Sequence, residues 1–160
     1  MTQGSSSDFP SPSSVTQPFG DVTLPPGVDE AQLAQLAGFA AEVAERAYSP
    51  YSGVRVGAAL LDEAGEVHLG CNVENASYGA TICAERAALV AAVAAGAKRF
   101  VALSLWASPM ARLLPCGVCR QCLFEFAPEL VIDVTSSDTN RARYSLTALL
   151  PGGVTGDDLV

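Results

Sequence analysis

The pattern of apolar and polar positions divides the chain into a patternless start and a strongly patterned remainder. Residues 1–27 are rich in Ser, Pro and Gly, carry no Lys or Arg and hold no sustained apolar period, which reads as a disordered extension. Helical spacing begins at Asp29, an N-cap with Gln32 at the capping-box position, and continues through Leu33, Leu36, Ala37, Ala40, Val43, Ala44 and Ala47. This helix is predicted to end before Ser49-Pro50. Residues 54–61 (VRVGAALL) and 66–73 (EVHLGCNV), joined by the turn DEAG, read as the two strands of a hairpin. A polar loop follows over residues 75–81, then a helix from Cys83 that stops at Gly96. After Arg86 that helix is almost wholly small and apolar, which predicts burial on several sides. Residues 100–106 and 130–135 read as strands, 117–126 as a short helix, 142–146 as a weak strand and 147–150 as a helical turn. The succession predicts one α/β domain over residues 28–160, a mixed sheet covered by helices.

Composition narrows the partners. Of 160 residues, 49% are apolar and 16% charged, which suits a compact globule or one that hides surface in an oligomer. The formal charge of -8, with nine Lys plus Arg, offers no basic field to a phosphate backbone or an anionic membrane, so neither nucleic acid nor membrane is an expected partner. No basic region precedes an apolar run at the start, and no stretch is long and apolar enough to span a bilayer, so the expected location is cytoplasmic. Five cysteines, Cys71, Cys83, Cys116, Cys119 and Cys122, are an odd number with one close pair, a usage that fits metal ligation or redox chemistry better than a disulfide framework.

Cys83 opens one predicted helix, and Cys116 with Cys119 opens another, so two helix N-termini can converge on one place. Thiolates are favoured at the positive end of a helix, and Arg86 and Arg120 stand ready to offset their charge. Soft sulfur ligands in this number select Zn2+, and three of them leave a fourth position open, as in catalytic rather than structural zinc sites. A water at such a position is acidic enough to furnish hydroxide near neutral pH. Glu85, two residues after a ligand, is placed to take a proton from that water and return it elsewhere. Spacing and chemistry together point to hydrolytic attack on an electrophilic carbon.

A ligand, one residue, Glu, and later Pro-Cys-x-x-Cys form the signature of zinc nucleobase deaminases, with Cys83 where many of them carry His. From about Leu33 to Leu159 the chain resembles the small homotetrameric cytidine deaminases. The resemblance rests on YSPYS (48–52), VGAALL (56–61), GCNVENASY (70–78), CAER (83–86), PCGVCRQ (115–121) and LLPG (149–152). It implies a three-layer fold with a five-stranded mixed sheet, one zinc per chain on Cys83, Cys116 and Cys119, and a homotetramer with shared sites. Glu85 would shuttle the proton among water, N3 of the pyrimidine and the leaving ammonia, and Arg86 would moderate the thiolate charge. Asn72 and Glu74 would hydrogen-bond the ribose hydroxyls, and Ala76 and Tyr78 would complete a neighbouring subunit's site. Backbone groups near Ala84, Pro115 and Cys116 would read the base. The implied reaction is deamination of free cytidine and 2′-deoxycytidine to uridine and 2′-deoxyuridine in pyrimidine salvage.

Two positions depart from the family pattern. Val54 and Val154 stand where the family usually has phenylalanines that pack on the base, and losing such stacking costs on the order of 1 to 3 kcal/mol per contact by analogy with base stacking elsewhere. The alternatives left open are a deaminase of another aminopyrimidine nucleoside, such as a blasticidin-like antibiotic, and a zinc scaffold without catalysis. Read singly, the motifs have blander meanings. Cys116 and Cys119 alone resemble a redox dithiol, Cys122 extends them to the start of an iron-sulfur run that Phe126 breaks and by itself reads as a buried helix residue, Glu85 reads as a first-turn helix carboxylate, and His68 as a surface or packing residue.

Overall fold

The computed structural model describes residues 22–109, 113–136 and 141–159. Most of the stretch expected to be disordered, residues 1–21, lies outside these; Leu24 within it packs on the core beside Val28. The first helix, α1 (Glu30–Ala44), starts where Asp29 Oδ1 accepts the Gln32 N–H at 2.8 Å, satisfying a donor that the first turn leaves free. It buries Leu33, Leu36, Ala40, Val43 and Ala44 and stops at Glu45, a few residues earlier than its apolar period extends.

The hairpin follows as β1 (Arg55–Asp62) and β2 (Val67–Cys71). Its turn is clipped by the Asp62 carboxylate, which accepts the N–H groups of Ala64 and Glu66, each at 2.9 Å, and faces His68 Nε2 at 2.9 Å. Of the two readings of His68, surface or packing, the structure supports the second, a partly buried ring against an acid. Then come α2 (Ala84–Ala94), β3 (Phe100–Ser108), α3 (Gly117–Phe124), β4 (Val131–Ser136), β5 (Arg141–Ser145) and α4 (Leu146–Leu149). Among the described residues, two 3-10 turns, Tyr78–Ala80 and Gly156–Leu159, carry too few residues to show a period.

The five strands form one mixed sheet in the order β2-β1-β3-β4-β5, with β3 and β4 parallel and the other neighbours antiparallel. Strand alternation sends Ala59, Leu61 and Ala102 to the α1 face, and Leu60, Leu103, Leu105 and Ile132 to the opposite face, where Ala84, Ala88, Leu123 and Leu149 pack. Helix, sheet and helix make the three layers expected from the resemblance.

Two glycines set how closely these layers approach. A Cβ at Gly57 would run into the Ala40 carbonyl of α1, and one at Gly70 would lie 2.5 Å from the Ala84 carbonyl of α2. Main chain therefore meets main chain on both faces of the hairpin. Because α2 is seated on Gly70, its first turn is fixed against the sheet. The crossover from β3 to β4 passes through α3, so the starts of α2 and α3 meet beyond the carboxyl end of β3, where parallel strands commonly place ligands.

Candidate active site

Cys83 is the N-cap of α2 and Cys116 the N-cap of α3, both with extended backbone. Their sulfurs are 3.9 Å apart, and Cys116 Sγ is 3.3 Å from Cys119 Sγ and accepts the Cys119 N–H at 3.4 Å. All three sulfurs lie within 4.8 Å of one another. Tetrahedral zinc with bonds of about 2.3 Å separates its sulfur ligands by about 3.8 Å, so the trio has the dimensions of a zinc site. Its electrostatics agree. Hydrogen bonding from Cys119 and Arg86, working against burial, brings the Cys83 thiol down to about 5. The same pairing with Cys83 pushes Cys119 up, so in the protein alone ionisation of one sulfur opposes that of its neighbour. A divalent cation removes that conflict.

Glu85, in the first turn of α2, is 4% exposed beside these sulfurs. Burial pushes its carboxyl up to about 7, and the Cys83 charge adds to the shift. Arg86 donates to the Thr81 carbonyl at 2.8 Å and reaches Cys83 Sγ at 3.9 Å. Arg120 does not join it. Expected to balance sulfur charge, it instead donates to the carbonyls of Pro115 and Leu149.

A pocket of about 220 Å³ opens over Cys83, Glu85 and Cys116, lined also by Ala84, Val54, Val56, Asn72, Leu113 and Leu114. Asn72 is buried, its Oδ1 accepting the Val56 N–H at 2.8 Å and its Nδ2 donating to the Val54 carbonyl at 2.9 Å. It therefore braces the strand that forms one pocket wall. Glu74 stands outside this lining; its carboxylate accepts the N–H groups of Tyr51 and Ser52 and the Ser52 hydroxyl, at 2.8, 3.2 and 2.5 Å. Ala76 and Tyr78 are exposed and do not line the pocket, although the Tyr78 ring meets Tyr51 edge-on. Val154 is also away from it, 53% exposed.

Of the residues singled out from the sequence, the structure brings Cys83, Cys116, Cys119, Glu85, Asn72, Val54 and Ala84 together at this pocket, while Ser52, Val56, Thr81, Leu113 and Leu114 line it without having been singled out as site residues. Two plain leucines carry no chemical signal beyond their place just ahead of Pro115-Cys116.

An α/β protein with a thiolate metal centre and a buried carboxylate at its edge is the class that this fold and site define. Residues 31–135 match the family described as "Cytidine and deoxycytidylate deaminase zinc-binding region". A cytidine deaminase of Sporosarcina psychrophila is 41% identical over 116 residues, covering 72% of this chain and 85% of that one. A cytidine deaminase of Mycobacterium tuberculosis (strain ATCC 25618 / H37Rv) is 48% identical over 99 residues, covering 61% and 74%. The crystal structure of cytidine deaminase from Burkholderia pseudomallei superposes with a TM-score of 0.72 at 41% identity, covering 76% of this chain and 98% of that one. The chain belongs to the cytidine and deoxycytidylate deaminase zinc-binding family.

Proposed function

We propose that this protein is a zinc-dependent cytidine deaminase that converts free cytidine and 2′-deoxycytidine, with water, to uridine or 2′-deoxyuridine and ammonia, in cytoplasmic pyrimidine salvage. The observation that carries the reading is the buried Glu85 carboxyl beside three clustered thiols, two of which, Cys83 and Cys116, line a pocket. Cys83, Cys116 and Cys119 would hold the metal, and zinc, when bound, supplies the Lewis acidity that makes a water nucleophilic near neutral pH. Glu85 takes one proton from the attacking water and delivers it to N3 of the pyrimidine as the oxygen bonds to C4, then moves the remaining proton of that oxygen to the amino nitrogen, so that the C4–N bond breaks, ammonia leaves and the C4 carbonyl of uridine forms. A buried carboxyl beside the proposed metal ligands is placed both to accept and to donate that proton. Asn72, its amide plane fixed by Val54 and Val56, offers its remaining N–H and lone pair to the sugar. Glu74 shares that role.

A pocket of 220 Å³ is smaller than the roughly 300 Å³ at the low end of ligand sites, and this supports completion of the site by a second copy. Ala76 and Tyr78, exposed on each chain, are the residues offered to a neighbour. Exposed Val90 and Val93 on α2 and Val118 on α3 supply apolar surface for a homotetramer. Light scattering is expected to report four chains; a monomer mass would reject shared sites.

The test of the reaction is the ultraviolet absorbance of cytidine incubated with zinc-loaded protein. The unvaried chain is expected to deplete the cytidine band, and Glu85→Gln to retain zinc while losing at least about 100-fold in rate. Turnover undiminished in Glu85→Gln would remove the carboxyl from the mechanism. A second reading comes from the pocket walls, where Val54, Val56, Leu113 and Leu114 are all aliphatic. An unstacked base can be exchanged for another aminopyrimidine, and the same assay over a panel of such nucleosides, a blasticidin-like one included, ranks the substrates.

A further inference from the structure

The three sulfurs are not held equally. Cys119 is buried inside α3 and Cys83 is half-buried with Arg86 beside it, but Cys116 is exposed at the end of a loop. What fixes that loop is its preceding residue, the fully buried Pro115, whose carbonyl accepts Arg120 Nε at 2.8 Å. The same guanidinium donates through Nη1 to the Leu149 carbonyl at 2.9 Å. Arg120 thus joins the residue before a candidate ligand to the C-terminal segment.

That segment is itself strapped to α3. Gln121 Nε2 donates to the Val154 carbonyl at 2.7 Å, and Glu125 Oε1 accepts the Gly156 N–H at 3.3 Å. Between them Gly153 lets the strap lie close, since a Cβ there would come within 2.9 Å of the Phe124 ring and the Leu150 side chain. We infer that Arg120 is a positioning residue for the metal site: its guanidinium, anchored on Leu149, sets the Pro115-Cys116 peptide and so holds the exposed Cys116 sulfur in place. A planar fork can hold two carbonyls in fixed directions; a lysine ammonium brings the same charge without that geometry. The charge of Arg120 is therefore secondary. The inference rests on the reading of Cys83, Cys116 and Cys119 as zinc ligands.

The experiment measures zinc release from the loaded protein into a chromogenic chelator, well below the melting temperature, for the unvaried chain, Arg120→Lys, Arg120→Ala and Gln121→Ala. Groups that orient metal ligands typically change affinity by roughly 10- to 100-fold when removed. Both Arg120 variants are expected to release zinc on the order of 10-fold faster, with kcat reduced more than KM is raised. Gln121→Ala, which cuts the strap but not the bond to Pro115, is expected to release zinc nearly as slowly as the unvaried chain. Release from Arg120→Lys at the unvaried rate overturns the inference, as does equal acceleration in Gln121→Ala. Should Arg120→Ala not fold, the comparison of Arg120→Lys with Gln121→Ala still decides. Absence of zinc from the unvaried protein overturns the ligand reading and this inference with it; unchanged release rates overturn this one alone.

Discussion

Asp62 does several jobs with one carboxylate: it caps the hairpin turn through two N–H groups and holds His68. Burial works against its ionisation, yet these hydrogen bonds together outweigh it and hold the carboxyl below the usual 3.8. A depressed carboxyl adds stability above its ordinary value and loses it as pH falls through the folded one. Asp62→Ala is expected to lower stability at pH 7 by about 1–3 kcal/mol, and denaturation curves should show the deficit shrinking below about pH 4. An undiminished deficit at pH 3 would assign the effect to packing. Residues of this kind were invisible in the sequence, because an acid in a turn and a histidine six positions on have no fixed relation until the strands pair. Cys83 and Glu85 were legible for the opposite reason: both sit in one first turn, so spacing alone fixes them together. Arg120 shares that helix context with Cys119, but a long side chain can reach several targets, and sequence could not tell a sulfur from two carbonyls.

The helices and strands were legible wherever an apolar period ran for two turns or several alternations, as in α1, α2 and β3. Their ends were not. β3 runs to Ser108, two residues past the predicted end, because pairing with both β1 and β4 carries it on after its apolar alternation is spent. Gly57 and Gly70 carry no mark in the sequence, and only the packing shows that each makes room for a helix backbone. Gly70→Ala is expected to lift α2 away from β2. Overpacking of this sort costs typically 1–3 kcal/mol, and the melting temperature should fall accordingly. Because α2 carries both Cys83 and Glu85, zinc content and turnover should fall together in this variant. A melting loss with both retained would show that the helix start is held by α3 rather than by the sheet.

Across the whole molecule, contacts distant in sequence tie the layers together. Asp133, fully buried on β4, meets Arg141 on β5 at 3.0 Å, and Arg141 and Arg143 both reach Glu30 at the start of α1. No local pattern announces such a cluster, since its members are spread over more than a hundred positions. The same holds for the metal centre in a different sense. Cys83 and Cys116 stand 33 residues apart and belong to two separate helices, so a zinc ion bound by both would act as a cross-link that closes the intervening β3 segment into a loop. Such an ion, besides serving the proposed reaction, would fasten the fold, and stability would become a function of free metal. Chelation should lower the melting temperature as well as abolish turnover, and readdition of zinc should restore both along one titration curve. Supply of the metal would then set how long the protein lasts as well as how fast it works.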